Sequence, residues 1–222
     1  MARYTYVISD IHGQFDALMK MMELIDFGYD DELYILGDVI DRGSESIKCI
    51  KWIMQQDNVL TLLGNHELLF YDNYIHNTPA VYNSLVQVRE SLSESEQKEI
   101  VQWIEDMPEC KLITVNGQKF YLNHTQAMSS DYFTKDIADR MFPYYSKYND
   151  YYNLIIKDFV CIHGHIPTRQ MRIWNKQGKD FTIWKNKNKT IIDIDCGAGY
   201  PNDGGLLGCL RLNDMKEFYI EL

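Results

Sequence analysis

The sequence predicts an α/β fold, and three observations carry the prediction. The first 65 residues alternate short apolar runs with amphipathic stretches of helical period, as a parallel sheet with crossover helices requires. The last third of the chain breaks into short apolar runs of strand length. Four short motifs rich in Asp, His, Asn and Gly each follow one of these apolar runs, and in parallel sheets binding sites form in loops at the carboxyl ends of strands.

Taken in order, Tyr4 to Ser9 reads as the first strand. Phe15 to Ile25 reads as a helix, because Phe15, Leu18, Met19, Met22 and Ile25 recur at helical spacing. Leu33 to Leu36 is the second strand, and Ser44 is placed as the cap of a helix running to Gln56. Val59 to Leu63 is the third strand, ending at Gly64. Residues 67–108 read as a helical insert within a single domain spanning 1–222, with Ser93 and Glu96 as a capping box and Ile100, Trp103 and Ile104 on an apolar face. Lys111–Val115 and Lys119–Leu122 form a hairpin about Asn116-Gly117. The tyrosine-rich stretch Tyr144 to Tyr152 carries no clear period. Strands are then expected at Phe159–Ile162, Met171–Trp174, Phe181–Trp184, Thr190–Ile194, Leu206–Leu212 and Glu217–Ile220.

The 222 residues include 32 acidic and 22 basic side chains, a net charge of −10, so the surface should repel nucleic acid. The basic run Lys185-Asn186-Lys187-Asn188-Lys189 is read as a solvated hairpin turn. Five cysteines, Cys49, Cys110, Cys161, Cys196 and Cys209, show no CxxC spacing and are read as reduced thiols. No apolar stretch approaches the length of a membrane span. The N-terminus enters the first motif too early for a signal peptide, so a cytoplasmic location is expected.

The motifs are Ser9-Asp10-Ile11-His12-Gly13, Gly37-Asp38-Val39-Ile40-Asp41-Arg42-Gly43, Gly64-Asn65-His66-Glu67 and His163-Gly164-His165. Asp10 and His12 lie two residues apart after a strand, and strand alternation would point both the same way. Asp38 has two oxygens and could bridge two ions. Asn65 offers an amide oxygen, and His124 and His165 offer imidazole nitrogen. Such donors suit a centre of two divalent cations for hydrolysis. Mixed oxygen and imidazole ligands without thiolate suit Mn²⁺, Fe or Zn²⁺. Arg42 has the planar fork that grips a phosphate. His66, partnered by Asp41, could hold a proton for a leaving group.

On these motifs the chain resembles the phosphoprotein-phosphatase branch of the calcineurin-like metallophosphoesterases, most nearly its small bacterial and lambda-phage members. The resemblance implies a β-sandwich flanked by helices. It implies one ion on Asp10, His12 and Asp38, and a second on Asp38, Asn65, His124 and His165, with Mn²⁺ the usual activator. It also implies His66 as acid, Asp41 as its partner, and substrate contacts from Arg42, Asn65 and Arg140, the only arginine between His124 and His165. The run Ile194-Asp195-Cys196-Gly197 with Gly204-Gly205 is similar to the family's closing strand pair. Two positions depart from the pattern: Leu63 stands where many protein phosphatases carry Arg, and His163 where an apolar residue is usual.

The activity expected from the resemblance is hydrolysis of a phosphoprotein or another small phosphorylated substrate, on phosphoserine or phosphothreonine and also phosphotyrosine. A dinucleoside polyphosphate hydrolase, such as one cleaving diadenosine tetraphosphate, is the alternative that Leu63 supports, whereas Asp41 and Glu67 favour the phosphatase. A non-catalytic scaffold is a third reading. Oligomeric state is not legible in the sequence.

Overall fold

A computed structural model describes residues 2–76, 89–125 and 159–222. Strands β1 (Thr5–Ile8), β2 (Glu32–Ile35) and β3 (Val59–Thr61) pair in parallel. Helices α1 (Phe15–Leu24) and α2 (Ser46–Met54) make the two crossovers, as parallel pairing demands. The chain returns at its far end, where β9 (Leu206–Arg211) and β10 (Lys216–Glu221) add antiparallel to the free edge of β1. The first sheet therefore runs β10-β9-β1-β2-β3.

A second sheet holds β4 (Cys110–Val115), β5 (Gln118–Thr125), β6 (Phe159–Gly164), β8 (Ile191–Asp193) and β7 (Trp184–Lys185), in that spatial order. Its β5, β6 and β8 are parallel and its two edges antiparallel. Both sheets are mixed, and with the flanking helices they form the expected metallophosphoesterase sandwich.

Alternation along the strands sets the layers. Val7, Leu36 and Leu62 of the first sheet meet Phe120, Leu122, Ile162 and Ile192 of the second. Tyr6, Ile8 and Ile35 face the other way and pack with Leu18, Met21, Ile50 and Ile53 of α1 and α2. Each such fully buried side chain stabilises the fold by roughly 1.5–3 kcal/mol. Rigid layers on both sides of β1 fix the position of the loop that follows it.

The β4–β5 hairpin turns at Asn116 (φ 50°) and Gly117 (φ 83°), with Val115 opposite Gln118, the geometry that Asn-Gly favours. The basic run closes the short β7–β8 hairpin, where the Lys189 amide donates to the Asn186 carbonyl over 3.0 Å. All five cysteines are free thiols. Among the described residues no helix is long and apolar enough to cross a membrane.

Three expectations need correction. Helix α2 starts at Ser46 with Glu45 as its N-cap, and no side chain caps it. Ser44 is not its cap, and the Ser46 hydroxyl accepts instead from the Asp41 amide over 3.0 Å. Met171–Trp174 is the end of a helix, α5 (Thr168–Trp174), not a strand. Its N-cap is Pro167, and the Thr168 amide donates to the Asp195 carbonyl over 2.8 Å. Phe181–Trp184 contributes to a strand only at its end, in β7. The described part of the stretch expected as a helical insert holds α3 (Asn65–His76) and α4 (Glu94–Glu105), the latter with the Ser93–Glu96 capping box formed in both directions. Residues 77–88, the stretch Tyr144 to Tyr152, and Arg140 lie outside the described residues.

Candidate metal centre

Three loops of the first sheet are knitted together by their backbones. The amides of Asp10, His12 and Gly13 donate to the carbonyls of Gly37, Asp38 and Val39 over 3.1, 2.9 and 2.8 Å, and the Gly43 amide donates to the His12 carbonyl over 2.9 Å. The third loop closes against the second at Gly64, where a Cβ would lie 2.3 Å from the Asp38 nitrogen. Only glycine permits that approach.

This knitting forces an unusual backbone. Asp10, His12, Asp38, Asp41, Arg42 and His165 all have φ between 49° and 72°, the left-handed region that costs about 1–3 kcal/mol for a residue with a side chain. Asp10 and His12 do converge, with His12 Nε2 3.9 Å from Asp10 Oδ1. They do so through this left-handed turn beyond β1, and not through the strand alternation expected from the sequence.

Asp38 is the hub. Its Oδ2 lies 3.9 Å from His12 Nε2 and 3.8 Å from His66 Nε2, and its Oδ1 lies 3.4 Å from His124 Nε2. Two groups of side chains that could hold an ion share it: His12, Asp38 and His66, and Asp38, His124 and His165. Asn65 Oδ1 sits between the imidazoles of the second group, 2.9 Å from both His124 Nε2 and His165 Nδ1. Asp10 is 1% exposed. Its Oδ2 accepts from the Ser9 hydroxyl at 2.5 Å and from the His165 amide at 2.9 Å, while its Oδ1 has no hydrogen-bond partner.

Tautomers are set from behind. His12 Nδ1 and His124 Nδ1 donate to the carbonyls of Ile40 (3.0 Å) and Leu36 (2.7 Å). Each Nε2 is thereby turned towards the carboxylates, where its lone pair would face a cation held between them, as in metal-binding histidines. His66 Nδ1 lies 2.7 Å from Asp41 Oδ2, and its Nε2 is directed towards Asp38.

The field of the pocket demands positive charge. Burial pushes the Asp10 carboxyl up to about 6, and it draws His12 and His165 down to about 3. Burial also opposes charge on His124, yet Asp38, Asp10 and Glu67 together raise it to about 10. For His66 burial is likewise overcome, by Asp38 and Asp41, and its pKa is raised. Asp38 is held below the usual carboxylate range against its own burial by His124 and His66. A protonated imidazole satisfies part of this demand. Divalent cations fit it better, because inward lone pairs and the unpartnered Asp10 Oδ1 are acceptors awaiting a cation.

Two motif residues to which the sequence assigned no definite role support this cluster. Glu67, 0% exposed, accepts the amides of Asp38 (2.8 Å), Val39 (2.9 Å) and Ile40 (3.4 Å), and so braces the Asp38 loop. Its position two residues after Asn65 on α3 was the available signal. His163 is fully buried behind the centre, 4.0 Å from Asp193, with Nδ1 3.1 Å from the Gly164 carbonyl. Arg42 stays at the rim and is exposed.

Carboxylates and imidazoles gathered at strand ends, around one shared aspartate, make a candidate site for divalent cations. The family is equally plain: residues 4–210 match the calcineurin-like phosphoesterases, and the chain belongs to that family. A symmetrical bis(5'-nucleosyl)-tetraphosphatase from Pasteurella multocida is 28% identical over 160 residues, covering 68% of this chain and 54% of that protein. Matches to the curated relatives cover only 24% to 54% of their length. Among solved structures, a candidate diadenosine tetraphosphatase superposes with a TM-score of 0.65 at 15% identity, covering 99% of this chain and 95% of that one. A protein serine/threonine phosphatase from Saccharomyces cerevisiae superposes with a TM-score of 0.55 at 16% identity, covering 94% and 72%. At such identities the superpositions speak to the fold.

Proposed function

We propose that the chain hydrolyses a phosphoanhydride bond of dinucleoside polyphosphates at a centre of two divalent cations. The observation that carries the catalytic part is the convergence of two ligand groups on Asp38. Support for the substrate comes from the likeness to symmetrical bis(5'-nucleosyl)-tetraphosphatases and from the apolar Leu63 before the Gly64-Asn65-His66-Glu67 motif.

In this reading Asp10, whose unpartnered Oδ1 lies 3.9 Å from His12 Nε2, takes the place of His66 in the first group, so that Asp10, His12 and Asp38 hold one ion, and Asp38, Asn65, His124 and His165 hold the other. Mn²⁺ is the first candidate, with Fe and Zn²⁺ also compatible with the ligands. When bound, such a pair polarises phosphoryl oxygens and supplies an activated water. Arg42 grips a non-bridging phosphate oxygen pair through its fork. His66 carries a proton at Nε2, stabilised through Nδ1 by Asp41, and delivers it to the leaving oxygen. Glu67 keeps the Asp38–Ile40 loop in its strained shape.

The phosphomonoesterase reading, with phosphoprotein as substrate, keeps one specific support: the 2.7 Å pair of His66 and Asp41. A serine alkoxide leaves poorly without a proton, whereas a nucleotide phosphate leaves well. A parallel assay of diadenosine tetraphosphate and phosphoserine peptides with Mn²⁺ separates the two. A kcat/KM for diadenosine tetraphosphate about a hundredfold above the peptides is expected, and the reverse order would return the phosphoprotein reading to first place. The net charge of −10 is expected to keep nucleic acid a poor substrate.

A further inference from the structure

We propose that Tyr200 is a positioning residue for Arg42, fixing the guanidinium at the rim of the metal centre so that it can grip a phosphate. The proposal rests on the reading of Arg42 as a phosphate clamp. Arg42 is exposed and long, so an unanchored guanidinium would sample many rotamers and lose entropy on binding. Tyr200 and Gly199 both bear on it. Its Cζ lies 4.6 Å from the centroid of the Tyr200 ring, within range of a cation–π contact. Its stem runs past Gly199, where a Cβ would lie 2.7 Å from Arg42 Cδ and 2.7 Å from His12 Cδ2. The stem therefore lies beside the backbone of residue 199 where any larger residue would press on it and on His12.

The loop that carries Tyr200 is itself held. Its amide donates to the Gly197 carbonyl over 2.8 Å, and its carbonyl accepts the amides of Asp203 and Gly205 over 3.1 and 3.2 Å. The Gln14 side-chain amide donates to the Ala198 carbonyl over 3.1 Å and ties the loop to the start of α1. The loop between β8 and β9 thus sets a side chain of the second motif, more than 150 residues away in sequence. Contact is made by the ring face, so an aromatic ring is required and the hydroxyl is not.

Titrating inorganic phosphate into the Mn²⁺-reconstituted protein by calorimetry tests this without depending on the natural substrate. Arg42→Ala should weaken phosphate binding. Tyr200→Leu should weaken it roughly two- to fivefold, the size of an exposed cation–π contact, with metal content unchanged, and Tyr200→Phe should restore it. In the Arg42→Ala background Tyr200→Leu should have no further effect. Gly199→Ala should weaken phosphate binding at least as much as Tyr200→Leu. Weakened binding in Arg42→Ala with wild-type affinity in Tyr200→Leu would overturn the positioning role alone. Wild-type affinity in Arg42→Ala would overturn it together with the clamp reading. An equal loss from Tyr200→Leu with and without Arg42 would also overturn it, because the ring would then be acting on phosphate or on the loop itself.

Discussion

The two sides of the candidate centre are built differently. The first-sheet side, carrying Asp10, His12, Asp38, Asp41 and Arg42, consists of left-handed turns laced to one another by backbone hydrogen bonds and braced by buried Glu67. The second-sheet side brings His124 from inside β5 and His165 from the residue after β6, and these meet the rest at the side chains of Asn65, Asp38 and Asp10 and at the Leu36 carbonyl. Strain stored on one side is held by a local network. The other side leans on sheet pairing, with one left-handed residue, His165, and a register shift between Leu122 and Thr125. The lesson is that damage to the laced loops should propagate through the whole centre, whereas damage to residues behind the second sheet should stay local.

Asp38→Asn is the sharpest way to break this arrangement. It keeps the oxygen that accepts the His66 amide at 3.0 Å while removing the shared charge. Turnover should fall further than for any other single change, beyond the roughly 10²–10⁴-fold typical of an acid–base group, as measured by kcat on a common aryl phosphate. His66→Asn comes next: kcat should drop by roughly 10²–10⁴-fold with both metals retained. The loss should be smaller for substrates with good leaving groups. The pKa of His66 is raised, so its acid form persists above the ordinary histidine range and is lost as pH rises through that raised value. The alkaline limb of the kcat profile should therefore vanish in His66→Asn, and a limb that persisted would remove the acid role.

Glu67→Gln tests the lacing itself. A glutamine has one acceptor oxygen for amides that Glu67 receives on two, and it turns an NH₂ towards a donor. Activity or metal affinity should fall roughly 10–100-fold, as for other residues that orient metal ligands, although Glu67 touches no substrate. His163→Val is the counterpart on the second sheet and should cost less than about tenfold. If His163→Val proved as harmful as Glu67→Gln, the contrast between the two sides would collapse.

Much of this was legible in the sequence. The parallel β1–β3 unit was, because apolar runs of strand length alternate with amphipathic helices and each run ends in a Gly-containing motif. The Asn116-Gly117 turn was legible because the dipeptide itself dictates the backbone. Helix α5 was missed because a short apolar run such as Met171–Trp174 fits either period, and Pro167 was the overlooked start signal. Candidate ligand residues could be named by type and spacing, but the backbone that gathers them could not. Left-handed turns at Asp10 and Asp38 follow from contacts between loops far apart in sequence. The bracing contacts of Glu67 and the place of Tyr200 were not legible for the same reason, since their partners lie 27 or more residues away.

Two cations sharing Asp38 are central to the proposed chemistry, and elemental analysis of the reconstituted protein tests for them most directly. About two transition-metal ions per chain are expected in the wild type, with activity abolished by chelator and restored by Mn²⁺, and a clear loss of bound metal in Asp38→Asn. Full activity in a chelator-stripped sample, or an unchanged two ions per chain in Asp38→Asn, would contradict it.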